Sequence, residues 1–503
     1  MSFIDSIIGA FSPRAACERQ AWRYQMEEMR SSYDAGSYGR QNINWRMINE
    51  SAENEAKYSR DIIRARARDL ERNSDIAQSG IRAFRRNVVG KGFSLQAKTE
   101  SDTLNAEIEK TWKEWCKAEN CDVTSTQSFK QMQRMAVTRK KVDGGILFLK
   151  RYSGNYKIPF QLQAIEVDEL DLVQVTPKTQ GNKVVGGIEY NKYNKAVGYY
   201  IRQYDIEGYQ SLDPVNVPAK DVIFYFTKSR PSQIREISDM TPTITRIRDV
   251  NEFVTAVSVK ERIAACLAVF IKKAIPSGGY GRDGKAVTVD GKVDYSGKSL
   301  TPGMIKEMGP GDEIQVVDPK NAGGDATAFL KMQQGLIAAG QGLSYEAMTR
   351  DMSQTNYASA RQSSIEDEYT YAEEIELLLE KLLSEAYETF IITGFLAGVF
   401  KMPGFIEKKA DYLAHEWVGA PRKWIDPMKE ANANKIALQT AQKTFKQIAA
   451  ENGKDWKDQL NDLAEVNTYG QSLGFDMSSI LFASPKAPVE KEKNTSNKED
   501  EAE

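Results

Sequence analysis

The sequence contains 503 residues, of which 41% are hydrophobic and 27% charged, and its 68 lysines and arginines nearly balance its 70 aspartates and glutamates. A chain of this length and composition is expected to fold into a large core or several lobes, which excludes wholesale disorder and a small disulfide-stapled fold. The formal net charge of -2 argues against tight non-specific DNA binding, whose affinity comes from basic residues that neutralise phosphates.

Cysteine usage and the apolar segments bear on the compartment. Cys17, Cys116, Cys121 and Cys266 are too few and too scattered for a disulfide framework and show no zinc-ligand spacing, so we interpret them as reduced thiols in a cytosolic setting. The first ten residues include Asp5 and no basic residue, unlike a secretory signal. The longest apolar runs are much shorter than the roughly 20 residues needed to cross a bilayer, and no membrane partner is predicted.

The first half of the chain begins with predicted helices and continues with predicted strands. Helices are expected at Trp45–Arg72, Asp75–Asn87, Asp102–Ala118 and Phe129–Lys141. The first helix carries an apolar stripe at Ile62, Ile63, Ala67 and Leu70, and the third carries one at Leu104, Ile108, Trp112 and Trp115. Strand-type segments follow at Gly145–Tyr152, Phe160–Val175 and Val184–Gln203, and Asn194 with Lys195 indicates a hairpin turn.

A long helix, an insertion and a second helix are predicted next. Pro242–Lys273 would form a helix about 45 Å long at about 1.5 Å per residue. Its apolar positions are Ile244, Ile247, Val250, Val254, Val257, Ala264, Leu267 and Ile271. A Gly-rich segment with strand-type residues fills positions 274–325, and Ala326–Leu343 is again helical in pattern. If the two helices pair, the ends of the insertion lie close together.

The polar stretch Thr349–Arg361 precedes another long predicted helix, Ser363–Thr393. The stripe expected to be buried on that helix is Ile365, Tyr369, Ala372, Leu379, Leu382, Leu383, Ala386 and Phe390. Lys429–Leu473 predicts a helical pair broken at Asn452-Gly453, and the polar tail from Pro485 is predicted to be disordered.

Enzymatic motifs are weak or missing. Gly279–Ala286 has P-loop spacing, but Ala286 replaces the hydroxyl that binds magnesium, and the segment follows a predicted helix rather than a strand. We therefore interpret it as a Gly-rich turn. The single histidine, His415, excludes His-pair metal motifs and is interpreted as structural. No catalytic residue, metal site or cofactor is predicted.

Acidic residues cluster on the last long helix, at Glu366, Asp367, Glu368, Glu373, Glu374 and Glu376. Two-metal nuclease centres also use carboxylates. On a helix, such residues more often form a solvated face or ion pairs between subunits, and we adopt that interpretation.

Several segments together resemble the lambda-type family of phage portal proteins. In the first part of the chain they are Ser12–Arg19, Tyr33–Gly36, Arg64–Asn73 and Asn87–Phe93. Further along they are Val217–Ile223, Arg230–Gln233, Pro302–Ile305, Pro310–Glu313, Gly342–Glu346, Arg350–Asp351, Asn356–Arg361 and Trp424–Glu430. The family usually has histidine where Phe224-Tyr225 stand and glycine at Glu236. Those departures are mild beside a resemblance that covers the chain up to about Phe475.

The resemblance implies an α+β, predominantly helical portal fold with wing, stem, clip and crown, in which long stem and wing helices accompany small sheets. Residues 1–241 would form the N-terminal segment and first part of the wing, 242–273 the first stem helix, 274–325 the clip, 326–348 the second stem helix and 349–361 the tunnel loop. Residues 362–420 would form the long helix and second part of the wing, 421–484 the crown with its C-terminal helices, and 485–503 the disordered tail.

The function implied by the resemblance is that of a non-enzymatic subunit of a ring, commonly of twelve copies, at one capsid vertex. Double-stranded DNA would be packaged and ejected through it. The expected partners are further copies of the chain, the DNA, the large terminase, capsid and scaffold proteins, and head-tail completion or adaptor proteins. The expected location is the portal vertex of the virion, with the host cytoplasm during assembly. The alternative is another ring-forming head-tail adaptor or structural capsid protein, although adaptors are usually much shorter.

In such a ring, the candidates for lining the DNA channel are polar or cationic residues of the stem and the loop. They are Lys260, Arg262, Lys272, Lys273, Arg350, Asn356 and Arg361. For the stem cations, pairing with Asp249, Glu252 or Glu261 of a neighbouring subunit is as consistent with the sequence as contact with DNA. The loop residues are the stronger candidates, because a polar loop between two helices can touch DNA without holding it.

Overall fold

The computed structural model describes residues 49–153, 156–202, 213–266, 326–419 and 427–474, with isolated positions at 12, 14–15, 18–19, 22–23, 45, 207, 270–271 and 306–307. The chain divides into two units, Met1–Ala56 and Lys57–Glu503. In the first unit, helix α1 spans Ala52–Ala56, and Arg14 forms an ion pair with Glu18. The predicted P-loop-like turn, nearly all of the predicted clip and the predicted disordered tail lie outside the described residues.

Helices make up most of the described part of the second unit. They are α2 (Arg60–Asn73), α3 (Asp75–Val88), α4 (Asp102–Trp115), α5 (Ala118–Cys121), α6 (Phe129–Asp143), α7 (Ile244–Cys266), α8 (Ala326–Gly340), α9 (Tyr345–Thr349), α10 (Tyr357–Leu378), α11 (Glu385–Leu396), α12 (Lys409–Leu413), α13 (Pro427–Gln439), α14 (Phe445–Glu451) and α15 (Trp456–Ser472). A π-helical segment, Leu379–Ser384, joins α10 to α11, so the chain is helical from Tyr357 to Leu396.

The strands form small, separate sheets. They are β1 (Ser94–Ala97), β2 (Gly145–Arg151), β3 (Gln161–Ile165), β4 (Lys183–Val185), β5 (Ile188–Tyr190), β6 (Ala196–Ile201), β7 (Val215–Pro218), β8 (Val222–Phe226), β9 (Phe270–Ile271), β10 (Lys306–Glu307) and β11 (His415–Val418). Their orders are β3-β2-β8, β4-β5-β6-β7, β1-β11 and β10-β9. All pairs are antiparallel except β9 with β10. The prediction of a predominantly helical α+β fold with small sheets is confirmed.

The first predicted helix, Trp45–Arg72, is wrong as a single element, because it is divided between α1 and α2. Ser59 stands at the N-cap position of α2. Of the predicted stripe, Ala67 and Leu70 are buried, whereas Ile62 is 52% exposed. The second helix is confirmed. Ser74 caps α3 by accepting a hydrogen bond from the Ala77 amide.

Gly144 forms the tight connection between α6 and β2. It ends α6 in the left-handed conformation, with φ +90°. A Cβ at this position would lie 2.4 Å from the backbone carbonyl carbon of Ile237. Only glycine satisfies both conditions. The close approach holds the segment that precedes α7 against the end of α6.

The main hydrophobic core joins α4, α6 and α11. Trp112, Trp115, Phe129 and Phe390 are all at most 3% exposed, as the helical spacing of the two tryptophans predicts. The indole of Trp115 stacks on Phe160 at 5.3 Å between ring centroids, and its Nε1 donates a hydrogen bond to the Phe160 carbonyl at 2.7 Å. The indole N–H is thus satisfied inside the core.

The hairpin predicted at Asn194 is confirmed between β5 and β6. Asn194 has φ +58°, and the Asn191 side chain accepts hydrogen bonds from the Tyr193 and Lys195 amides. The left-handed conformation is one that asparagine tolerates in tight turns.

The helix predicted at Pro242–Lys273 is shorter than expected and its end is wrong. It runs from Ile244 to Cys266, about 35 Å, and Phe270–Ile271 is strand β9. The aromatic and β-branched residues at this point favour strand. Ile244, Ile247 and Val250 are buried, but Val254 is 45% exposed, so the apolar stripe leaves the core after the second turn.

Helices α7 and α8 pair, as predicted. Phe253 contacts Phe329 with ring centroids 5.1 Å apart. The predicted helix Ala326–Leu343 is confirmed as α8, Ala326–Gly340. The longer range 326–348, which the resemblance implies as the second stem helix, is not one continuous helix. It breaks at Gly342, which has φ +69°, and resumes as α9. Ser344 caps α9 through the Ala347 amide.

The C-terminal region contains three helices where a pair was predicted. The expected break at Gly453 is present, with φ +68°. A second break follows α13, where Ala441 has φ +56° and Thr444 caps α14 through a capping box. This region contacts the helix α4 through the ion pair between Lys457 and Asp102, 2.9 Å long.

Candidate functional site

The loop between α9 and α10 is shorter than the predicted stretch Thr349–Arg361. Arg350 ends α9 in the left-handed conformation, with φ +62°. Asn356 begins α10, because its side chain accepts a hydrogen bond from the Ser359 amide at 2.8 Å while the Ser359 hydroxyl accepts one from the Asn356 amide. The last five predicted loop residues, including Arg361, therefore belong to the helix.

This loop is ordered by its own side chains. The Asp351 carboxylate accepts a hydrogen bond from the Ser353 amide at 3.0 Å, and the Tyr345 hydroxyl donates to Asp351 as well. The hydrogen bonds from Ser353 lower the pKa of Asp351. Polar residues with local turns give a loop that keeps a defined path while its outer surface stays in solvent.

The three candidates predicted in this stretch, Arg350, Asn356 and Arg361, are positioned by the ends of α9 and α10. Arg350 and Asn356 bound the loop, and Arg361 lies in the second turn of α10; all three are exposed. The Oδ1 atom of Asn356 is already used as a helix cap. Arg350 and Arg361 form no ion pair with another described residue.

The predicted stem cations are partly described. Lys260 is half-buried and Arg262 exposed on α7, and neither pairs with another residue in the part of the chain that the structure describes. Glu252, one of the acids considered as an intersubunit partner, forms an ion pair with Arg248 of the same helix at 2.8 Å. Lys272 and Lys273 lie outside the described residues.

A buried cluster, here called the lysine cluster, consists of Lys140, Lys141, Tyr225, Asp239 and Glu374. The Lys140 ammonium donates to Asp239 at 3.0 Å and also to Glu374, which accepts a further hydrogen bond from the Tyr225 hydroxyl. Burial lowers the pKa of Lys140, but the charges of Asp239 and Glu374 outweigh it and raise the value. Burial, followed by the charge of Glu374, raises the pKa of Tyr225.

Lys141 is also buried and, among the described residues, has no carboxylate in direct contact. Its ammonium donates to the Gln341 carbonyl at 3.3 Å and sits 3.9 Å from the centroid of the Phe84 ring. Burial lowers its pKa to about 8. The Gln341 side chain in turn donates to the Thr243 hydroxyl. The start of α7 and the end of α8 are therefore joined directly and are both fixed to α6.

An adjacent ionic network is organised by arginines at four-residue spacing on α2. Arg64 forms ion pairs with Glu236 at 3.1 Å and Asp168 at 2.7 Å, and Arg68 pairs with Asp143 at 2.7 Å. Burial opposes the charge of Arg68, but the hydrogen bond and charge of Asp143 raise its pKa.

Glu236 is fully buried between two arginines of this network. Besides Arg64, it accepts hydrogen bonds from Arg235 at 2.7 and 2.9 Å. Arg60 also donates to the Glu236 carbonyl. A buried carboxylate is stable here because each oxygen has a cationic donor. Both sequence departures from the family pattern, Tyr225 and Glu236, thus bear polar contacts in the protein interior.

The interpretation of the acidic cluster on α10 is wrong for two of its six members. Asp367 is 7% exposed and accepts hydrogen bonds from the amide and hydroxyl of Ser344, at 2.6 and 2.7 Å. Burial raises its pKa, although the Ser344 hydrogen bonds partly offset this. Glu374 is 8% exposed. Both contact groups of their own chain, so neither is solvated or available to a neighbouring subunit.

The buried face of α10 therefore differs from the predicted one. Tyr371 and Leu378 lie on it with Asp367 and Glu374, whereas Tyr369 is 66% exposed. The predicted stripe is confirmed only from Leu382 onwards, at Leu382, Leu383, Ala386 and Phe390. The polar members of the face were missed because an apolar count skips carboxylates. The four-residue spacing of Arg64 and Arg68 was a signal for the buried Glu236 and Asp143, with which they pair, but not for Asp367 or Glu374.

His415 and the described cysteines have structural surroundings. The His415 ring nitrogens lie 2.7 Å from the Leu413 carbonyl and 3.0 Å from the Ser384 hydroxyl, and the ring packs against Tyr387. Cys116 and Cys121 are free thiols, and burial raises the pKa of each, that of Cys121 to about 12. Among the described residues, no group of three or more His, Cys, Asp or Glu could hold a metal ion.

Sequence comparisons identify the family. Residues 38–374 match the family described as "Phage portal protein, lambda family". The chain is 25% identical over 442 residues to the "Probable portal protein" of Halomonas phage phiHAP-1, covering 82% of this chain and 83% of the relative. The chain belongs to the lambda family of phage portal proteins.

Two further portal proteins are similar over most of their length. The portal protein of Escherichia phage N15 is 21% identical over 515 residues, covering 91% of this chain and 93% of the relative. "Portal protein B" of Escherichia phage lambda is 20% identical over 443 residues, covering 78% and 81%. The resemblance seen in the sequence motifs is therefore confirmed.

Portal proteins are structural components of the virion at the capsid, where they serve as head-tail connectors in DNA packaging. The described geometry of this portal protein suits a structural component. Among the described residues, Lys140 pairs with Asp239 and Glu374, and Lys141 donates to the Gln341 carbonyl, so buried charges fix α10 and the ends of α7 and α8 to α6. In the described part of the chain, no helix has the length and apolar character needed to span a membrane.

Proposed function

We propose that this portal protein forms a ring, commonly of twelve copies in its family, whose central channel conducts double-stranded DNA into and out of the capsid at one vertex. The observation that carries the proposal is the pair of helices α7 and α8. The start of α7 and the end of α8 are joined by the hydrogen bond from Gln341 to Thr243, and Gln341 is fixed to Lys141 of α6. A short polar loop and the long helix α10 follow along the chain. The assignment to wing, stem, clip, tunnel loop and crown rests on this order.

The near-neutral net charge of the chain is consistent with a channel through which DNA can slide. A ring repeats each exposed residue around its axis, so a single cation per subunit produces a collar of positive potential. A near-neutral chain with few lining cations avoids the many phosphate contacts that would hold DNA in place. We assign this lining to Lys260, Arg262, Lys272, Lys273, Arg350, Asn356 and Arg361.

The partners follow from the same proposal. We infer that the large terminase, a separate ATPase, docks on the segment 274–325, and that capsid, scaffold and head-tail adaptor proteins contact other faces. Membership of the portal family favours this function over a different head-tail adaptor or a purely structural capsid protein. Purified protein is expected to show no ATPase activity, and turnover that depends on Lys285 would contradict a passive channel.

The deciding experiment combines imaging with a packaging assay. Negative-stain images of the purified chain should show uniform rings with a central hole. In a packaging assay, Arg350→Ala with Arg361→Ala should lower the yield of protected DNA several-fold while rings remain intact. Lys195→Ala, at the exposed tip of the β5-β6 hairpin, is the matched control. A chain that stays a single subunit at high concentration with its partners supplied would rule out the proposal.

A further inference from the structure

Helix α3 presents a basic face to solvent. Arg82, Arg85 and Arg86 lie at a spacing of three and four residues, so their side chains share one side of the helix. All three are exposed, whereas Ile81 and Phe84 on the other side are buried. None of these arginines forms an ion pair with another described residue. Arg85 and Arg86 favour the C-terminal end of their own helix, which leaves Arg82 unexplained.

Helix α10 and the π-helical segment present an acidic face. Glu366, Glu373, Glu376 and Glu380 are all exposed. At 100° per residue they fall within about 80° of one another around the helix. On this face of the described chain, the Gln362 side chain donates a hydrogen bond to Glu366, 2.8 Å long. Four carboxylates on one face without cations repel one another.

The two faces point away from each other. Helices α3 and α10 pack through their buried sides, where Phe84 and Tyr371 make an edge-on contact with ring centroids 5.5 Å apart. At 100° per residue, Arg82 and Arg86 lie about 160° from Phe84 on α3 and Arg85 about 100°, and the four glutamates lie about 140° or more from Tyr371 on α10. The two faces therefore lie mostly on opposite sides of the packed α3 and α10, and among the described residues no ion pair joins one face to the other.

We propose that the face formed by Arg82, Arg85 and Arg86 docks onto the face formed by Glu366, Glu373, Glu376 and Glu380 of a second copy of this chain. The inference rests on the proposed ring and specifies how its neighbours meet. A heterologous interface joins two different surfaces of identical subunits, and repetition of such a contact closes a ring when the rotation between neighbours divides a full turn. Charge complementarity favours this occupant over DNA, because DNA could neutralise the arginines but would be repelled by the glutamates.

The test is a charge exchange. One variant carries Arg82→Glu, Arg85→Glu and Arg86→Glu; a second carries Glu373→Arg, Glu376→Arg and Glu380→Arg; a third carries all six changes. Ring formation is measured by sedimentation velocity and mass photometry at 50 and 300 mM salt. Each triple variant should lower the ring fraction at least tenfold, and the sixfold variant should recover most of it. Wild-type rings should also weaken as salt rises, because screening reduces exposed charge attraction.

The matched control changes the same number of charges elsewhere. Lys110, Lys113 and Lys117 lie exposed on or next to α4, and their replacement by glutamate should leave the ring fraction unchanged. Circular dichroism and melting temperature establish that each variant is folded. Should a glutamate triple fail to fold, Arg82→Gln with Arg85→Gln and Arg86→Gln replaces it, and a threefold or larger loss of rings is then expected.

The outcomes separate the two proposals. If the wild-type chain forms no rings, the proposed function fails. If wild-type rings form and folded triple variants assemble equally well, the docking surface is wrong while the ring stands. Loss of rings in both triples without recovery in the sixfold variant also overturns the pairing. Intact rings that lose DNA passage on reversal of the arginines would show that this face meets DNA instead.

Discussion

The Lys140 ammonium donates a hydrogen bond to the Glu374 carboxylate, and the two side chains are only 6% and 10% exposed. This contact joins α6 to α10. The same ammonium pairs with Asp239 at 3.0 Å, five residues before α7 begins. One lysine thus holds the helix that follows the polar loop and the segment that leads into the long helix pair.

Replacing Lys140 by methionine is expected to destabilise the fold by about 3–5 kcal/mol. The change keeps the side-chain volume but leaves Asp239 and Glu374 close together without a cation, and unpaired buried charge is costly. Urea unfolding followed by fluorescence measures the loss. Adding Glu374→Gln should recover part of it. Lys381→Met, at an exposed position of the same helical region, should change stability by less than about 0.5 kcal/mol. A loss for Lys140→Met as small as that of the control would contradict the assigned pairing.

The lowered pKa of Lys141 predicts that its contribution to the free energy of unfolding rises with pH. Its pKa in the folded protein is about 8, below the ordinary 10.5, because burial disfavours the ammonium. Between these values the unfolded chain binds more protons than the folded one, so this group makes unfolding harder as pH rises. Below pH 8 both states are protonated, and the full cost of burying the charge, roughly 3 kcal/mol, applies.

The difference between wild type and Lys141→Met isolates this group from other titrating residues. At pH 7 the variant should be at least as stable as wild type, because the buried charge is gone. The advantage of the variant should shrink by more than half by pH 9.5. Melting temperatures measured across this range check the trend. An advantage that stays constant across this range would show that the pKa of Lys141 is not lowered in the folded protein, and an advantage that grows with pH would show that it is raised.

The sequence predicted most helices, the α7-α8 pair and the hairpin at Asn194, because apolar spacing and turn residues are local signals. It missed where helices break and which polar groups are buried. Tyr369 was expected inside and is exposed, whereas Glu374 was expected on a solvated face or in an ion pair between subunits and is buried. Burial of Glu374 depends on Lys140, 234 residues away, and one sequence carries no local sign of such a partner. The predicted loop Thr349–Arg361 was too long because the first turn of α10 is also polar.

Gly144→Ala is expected to destabilise the protein by about 3 kcal/mol or more. The new Cβ would have a left-handed backbone at φ +90° and would overlap the backbone at Ile237, 2.4 Å away, which cannot move as a flexible side chain would. Gly181 is the matched control. It has the same φ, but no atom lies within 4 Å of its would-be Cβ, so Gly181→Ala should cost only about 1 kcal/mol of backbone strain. Equal losses of stability at the two positions would mean that the close approach of the Ile237 backbone does not add to the cost of the substitution.

Asn356 can be tested as a helix cap and as a DNA contact separately. In the structure, the Asn356 Oδ1 atom accepts a hydrogen bond from the Ser359 amide at the start of α10. Aspartate caps a helix as well as asparagine does, whereas alanine does not and costs about 1 kcal/mol. Asn356→Asp should therefore keep the wild-type melting temperature, and Asn356→Ala should lower it. In a packaging assay with intact rings, a residue that only caps should tolerate aspartate. A residue that meets phosphates should not, because the added negative charge would repel DNA. Normal packaging by Asn356→Asp would remove Asn356 from the channel lining and leave that role to Arg350 in the loop and Arg361 in α10.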